Sequence, residues 1–112
     1  MKRPTRIKIL GKVYDVDYVP EGTKGLEGDD CGICDSEKLY IAVKDGQPLQ
    51  NEQDTLLHEC LHAITHQMDV EKYLGKYEEK IVRTLATGLL AVIKDNPGSL
   101  LSYLKARRCR NP

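Results

Sequence analysis

"DTLLHECLHAITH", Asp54 to His66, carries all three histidines of the 112-residue chain within nine residues. It is also where the apolar period changes. Leu56, Leu57, Leu61, Ile64 and Thr65 recur three and four residues apart from about Asn51 to Met68. That spacing predicts a helix, with Asn51 as its N-cap and Asp54 in the first turn. Upstream the period is that of strands. In "RIKILGKVYDVDYV", Ile7 and Ile9 are in phase, and Tyr14, Val16 and Tyr18 alternate with Val13, Asp15 and Asp17. Gly11 marks the turn of this strand–turn–strand unit. "KLYIAV", Lys38 to Val43, is a third short β-rich run. Residues 20–36, rich in glycine and acids after Pro20, read as a loop, and "KDGQPLQ" as another turn.

Downstream, a short polar linker leads to a second helix. It starts near Lys76–Tyr77, runs through "EEKIVRTLATGLLAVIKD" and stops at Asn96-Pro97-Gly98. "SLLSYLKARR" suits a short third helix whose basic end matches the helix dipole. The fold class predicted is α+β: a small three-stranded sheet followed by two or three helices, in one domain over residues 1–112.

Composition bounds what such a domain does. Hydrophobic residues make up 40% with no Phe or Trp, so Leu, Ile, Val and six Tyr must fill a modest core. Seventeen basic residues balance seventeen acidic ones. That argues against direct nucleic-acid or acidic-membrane binding, which draws its affinity from excess Lys and Arg. The local cluster Lys105, Arg107, Arg108 and Arg110 reads as a solvated helix end. No apolar stretch follows Met1-Lys2-Arg3, and no run is long enough to span a bilayer. A cytoplasmic protein with reduced thiols is therefore expected. Cys31 and Cys34 form a C-x-x-C in a glycine-rich acidic loop, not at a helix start, and read as two thiols on a turn. Cys60 and Cys109 read as small buried or incidental residues.

His58 and His62 are four apart, so on a helix both face the same way, one turn above the other. Two imidazoles at that spacing can hold one zinc ion, and Glu59, next to the first, can act as base toward a water there. Such a catalytic site needs a third protein ligand. His66 continues the series but lies about 12 Å from His58 along a straight helix, too far to share an ion. Its expected place is the rim or the surface. Glu78 and Glu79, opening the next helix, are the better candidates. Glu78 shares a face with Ile81, Val82, Leu85 and Leu89, which predicts that it points to the core; Glu79 shares one with Val82, Arg83, Ala86 and Leu90. Periodicity leaves both open. A second donor for the oxyanion would come from His66, Tyr40, Tyr73 or Tyr77.

"TLLHECLHAITH" with "YEEKIVRTLATGLLAVIKDNP" resembles the small phage and bacterial zinc metallopeptidases of the ImmA/IrrE-like group, over about Asp54 to Pro97. The resemblance implies a minimal zincin-like (gluzincin-type) domain with Zn2+ as cofactor. It implies His58 and His62 as ligands, Glu59 as the general base and, through the match of Leu85-Ala86 to the group's F-A, Glu79 as third ligand. Val82 and Arg83 stand where the group has an A-N pair. The activity implied is hydrolysis of a peptide bond in a protein or peptide substrate, of the kind of a phage or bacterial regulatory protein. "KLYIAV", if it forms the sheet edge, would present that substrate as an added strand. Two other classes compete: a non-catalytic, zinc-containing regulator acting by protein binding, and a zinc hydrolase acting on a non-peptide amide. The intact Glu59 favours the enzyme, since a structural zinc has no use for a base.

Overall fold

The computed structural model describes residues 2–26 and 30–107. The expected strand–turn–strand comes first. β1 (Arg6–Ile9) and β2 (Lys12–Val19) pair antiparallel, with Ile9 opposite Lys12. The turn holds Leu10 at φ 51° and Gly11 at φ 86°. Two successive left-handed residues match the twist of a tight hairpin, and glycine adopts that region without a steric penalty.

β3 (Gly32–Asp35) and β4 (Tyr40–Lys44) make a second antiparallel pair, and β4 lies parallel to β2. The sheet is mixed, in the order β1-β2-β4-β3. It has four strands where the sequence predicts three. The additional one, Gly32–Asp35, falls inside the stretch read as a loop. Four residues beginning with glycine carry no legible alternation; pairing with β4, Gly32 opposite Val43 and Asp35 opposite Tyr40, makes them a strand. A second correction follows for β4, which is interior and not the sheet edge. Its Ile41, Ala42 and Val43 are buried in succession, the continuous apolar run of a strand with neighbours on both sides. Among the described residues, the edge strand on that flank is β3.

α1 (Leu49–Gln67) packs on the sheet. It starts two residues before Asn51, with Pro48 in the N-cap position and no side-chain cap bond. Leu56, Cys60 and Ala63 meet Ile9, Tyr14, Val16, Ile41 and Val43 in the core. Ala63 is fully buried, and its small side chain lets the helix approach the sheet closely. At the far end Gln67 Nε2 donates to the Ile9 carbonyl at 2.9 Å, tying the helix to the first hairpin.

The expected polar linker contains a single-turn helix, α2 (Glu71–Leu74), and a 3-10 turn over Gly75–Tyr77. α3 (Glu78–Asp95) follows and ends at Asn96, and α4 (Ser99–Lys105) completes the described chain. α3 runs antiparallel to α1: Glu79 lies beside His62, and two turns on Thr87 bonds Asp54. Its buried positions are Val82 and Ala86, whereas Ile81, Leu85 and Leu89 are exposed. Of the four residues expected to give Glu78 a core-facing side, Val82 is buried and Ile81, Leu85 and Leu89 are not. The side carrying small Ala86 is the one seated on α1, because a methyl allows the two helix backbones to come closer than leucine would.

Cys34 sits in β3 and not on a turn, hydrogen-bonded to Ser36 at 3.6 Å. Burial raises its thiol pKa and pushes that of Cys60 up to about 11, so neither is a ready thiolate. Arg108, Cys109 and Arg110 lie outside the described residues. No helix among the described residues is long and apolar enough to cross a membrane.

Candidate metal centre

α1 serves two neighbours at once. Leu56, Cys60 and Ala63 face the sheet, and His58, His62 and Thr65, three and four residues apart, face α3. The two imidazoles stand with centroids 4.8 Å apart and their Nε2 atoms 3.0 Å apart. Across from them Glu79 places Oε1 at 2.6 Å from His58 Nε2 and Oε2 at 3.2 Å from His62 Nε2. Three sequence-predicted ligands thus converge from two helices. Their ligand atoms all lie within 4.8 Å of one another.

The donor set fits zinc. Two imidazole nitrogens and one carboxylate oxygen are a recognised catalytic set, and around a tetrahedral ion such donors stand about 3.3 Å apart. The observed separations of 2.6, 3.0 and 3.2 Å need only a small opening. Burial lowers the His58 pKa, against the pull of Glu79, which favours the neutral ring that a metal requires. Arg83, one turn beyond Glu79, lies 3.6 Å from Oε1 and adds a positive charge at the mouth.

Glu78 and Glu79, left open by periodicity, separate here. Glu79 reaches the inner nitrogens of both histidines. Glu78 reaches the outer nitrogen of His62, with Oε2 at 3.0 Å from Nδ1.

Glu59 lies against Gly32 of β3 and lines the same cleft as His58, His62 and Glu79. It is 6% exposed, and burial pushes its carboxyl up to about 7. Glu79 and Asp30 add to that rise, while His62 opposes it. The seat is shaped by Gly32. A Cβ there would lie 2.7 Å from Thr55 Cγ2 and 3.1 Å from both Glu59 Cγ and the Ala42 carbonyl. Only a glycine allows β3 to pass this close to α1.

An open cleft of about 730 Å³ connects these features. Asp30, Cys31 and Gly32 form one wall, Thr55, His58, Glu59 and His62 the floor, and Glu79, Arg83 and Thr87 the other wall. The volume lies in the range of small-molecule and peptide-side-chain sites.

The other predicted donors are elsewhere. His66, 48% exposed, pairs through Nδ1 with Glu71 at 2.9 Å, and α1 runs unbroken past it. The Tyr40 hydroxyl donates to Asp17 at 3.0 Å, and Tyr73 and Tyr77 are exposed. None of these four lines the cleft among the described residues.

Three contributors escaped the sequence reading: Gly32, Thr65 and the α1–α3 bridge from Thr87 to Asp54 at 3.1 Å. Gly32 falls in a stretch read as a loop, where glycine is the expected residue, so nothing in the sequence marks it. Thr65, three residues after His62, had only its spacing. No protein-family model, curated protein or solved structure matches the chain.

Proposed function

We propose that this protein is a zinc-dependent metallopeptidase of zincin-like architecture that hydrolyses a peptide bond in a protein substrate. Regulatory proteins of phage or bacterial origin in the cytoplasm are the substrate class suggested by its resemblance. The observation that carries the reading is the pairing of a His58–His62–Glu79 donor set with an acid, Glu59, that is buried and raised to about 7 beside the same cleft. A structural metal site has no need of such an acid, whose burial costs stability.

His58, His62 and Glu79 would hold the ion, which when bound supplies Lewis acidity toward a substrate carbonyl and a water. Glu59 would take the proton of the attacking water as its oxygen adds to the carbonyl carbon. The same carboxyl, now protonated, returns the proton to the leaving amine as the C–N bond breaks. A carboxyl that first accepts and then returns the proton serves both halves of the exchange. Arg83 is the cation on the cleft wall nearest Glu79 and is placed to attract a carbonyl or carboxylate oxygen.

The edge position of β3 among the described strands supports the substrate class. Gly32 opens this strand and lines the cleft, so an extended peptide added to the edge would run past the metal-holding residues. This role passes from "KLYIAV", which is interior, to "GICD".

The test compares wild type with Glu59→Gln for zinc content and for cleavage across a broad peptide library. Retained zinc with lost cleavage supports the peptidase. A wild type that binds zinc tightly and cleaves neither peptides nor candidate repressors would instead favour the non-catalytic regulator.

A further inference from the structure

His62 is held on both sides. Its Nε2 faces His58 and Glu79, and its Nδ1 lies 3.0 Å from Glu78 Oε2. Glu78 has a donor of its own in Thr65, whose single hydroxyl proton is shared between Glu78 Oε2 at 3.3 Å and the His62 carbonyl at 2.9 Å. The Glu78 side chain is 21% exposed, against 55% for Glu79. Adjacent helical residues point about 100° apart. A single turn of α3 therefore delivers one carboxylate to the inner nitrogens and another to the outer one.

We propose that Glu78, held by Thr65, is the positioning residue of the metal centre and is not a ligand. It accepts the Nδ1 proton of His62, which fixes the tautomer and turns the Nε2 lone pair toward the ion. The assignment rests on the reading that His58, His62 and Glu79 hold zinc. The chemistry is general: a carboxylate on the far nitrogen orients the ring and raises its basicity, and its loss typically lowers metal affinity 10–100-fold. Thr65 adds a second restraint. Its hydroxyl lies within hydrogen-bond reach of the His62 carbonyl in α1 and of Glu78 in α3, at the point where the two helices meet.

The experiment measures zinc affinity of the full-length protein by competition with a chromophoric chelator, and the visible absorption of the cobalt(II)-loaded protein. Variants are Glu78→Ala, Glu78→Gln, Thr65→Val, Glu79→Ala and His58→Ala, with circular dichroism as the folding control. Glu78→Ala should weaken zinc about 10–100-fold while the cobalt bands keep their four-coordinate intensity. Glu78→Gln, whose amide oxygen still accepts from Nδ1, should recover part of that loss, and Thr65→Val should weaken zinc only a few-fold. Glu79→Ala should cost more than Glu78→Ala and change the cobalt band shape, because a ligand is gone. Equal losses and equal spectral changes for Glu78→Ala and Glu79→Ala would make Glu78 a ligand and overturn the assignment. An affinity within twofold of wild type for Glu78→Ala would overturn it too, leaving that residue as an ordinary helix-start acid. Failure of the underlying reading looks different: zinc affinity that is absent in wild type, or indifferent to His58→Ala.

Discussion

Two acids of α1, Glu52 and Glu59, lie seven residues and two turns apart, and both are buried, at 8% and 6% exposure. The molecule treats them in opposite ways. Glu52 is met by Arg3, whose Nη1 lies 3.1 Å away, and the same guanidinium bonds Asp45 at 2.9 Å and covers the Tyr18 ring at 4.1 Å. Glu59 has a cleft wall, a glycine and a raised pKa of about 7. A buried carboxylate with an arginine across from it pins a chain terminus to the fold. One seated beside convergent histidines, with its pKa raised by burial, is the acid that the proposed function makes the proton carrier. Burial alone would not have told them apart; the partner does.

The largest expected effect breaks the comparison at the Glu59 end. Glu59→Gln keeps the shape and removes the base. Cleavage should fall by roughly 10²–10⁴-fold, the usual worth of a general base, with zinc content unchanged. Glu52→Gln should leave the turnover of whatever substrate is found within about twofold. If both substitutions depress cleavage equally, the contrast is one of stability only.

The next effect is on pH dependence in the metal-free protein. The Glu59 carboxyl moves from 4.5 to about 7 on folding, so the native state holds its proton more tightly than the unfolded chain does. The sign follows: the stability linked to this group is fully present below pH 4.5 and is lost as pH rises through 7. The swing is up to about 3 kcal/mol. His58, whose pKa burial lowers, acts in the opposite sense, losing stability as pH falls below the ordinary histidine value. The difference between wild type and Glu59→Gln isolates the acid. In chelator, urea midpoints of the two proteins should diverge as pH is raised from 4.5 to 7.5, with the glutamine variant the more stable above 7. Parallel curves would mean that Glu59 is not held in a desolvated seat.

Gly32→Ala perturbs that seat. The added methyl would meet Thr55 Cγ2 at 2.7 Å and Glu59 Cγ at 3.1 Å, and the Ala42 carbonyl, also at 3.1 Å, is backbone and yields little. A cost of about 1–3 kcal/mol is expected from overpacking, read as a lower urea midpoint. Cleavage should fall further than that loss of stability explains, because β3 and Glu59 are pushed apart. An alanine variant of wild-type stability and activity would show that the close approach is dispensable.

Only the Glu59 side of this contrast is legible in the sequence. His58, His62 and Glu79 followed from helical spacing and a family resemblance, and the hairpin at Gly11 from alternation. Local patterns report such features because a period of 2 or 3.6 is written in consecutive residues. What was missed depends on who the neighbour is. β3 becomes a strand through β4, so "GICD" alone reads as loop. α3 carries apolar residues on more than one side, and the seat goes to Val82 and Ala86 by fit with α1, not by the hydrophobicity of Ile81, Leu85 and Leu89. Glu52 carries no local mark of its role, since its partner stands 49 residues away in the chain.

The smallest effect tests the paired end. Arg3 keeps 43% of its side chain exposed, so part of its attraction to Glu52 and Asp45 is screened by water and salt. Arg3→Ala should lower the melting temperature by less than about 5 °C at low ionic strength. The difference should shrink in 1 M salt, where the Debye length is about 3 Å. Glu52, left in its buried position without the arginine, supplies whatever penalty salt does not remove. Arg3→Lys discriminates the two contributions. A lysine keeps the charge but cannot bridge Glu52 and Asp45 with one planar fork while stacking on Tyr18. If the lysine variant matches wild type, charge alone secures Glu52. If it behaves as the alanine does, the guanidinium geometry is what separates this acid from Glu59.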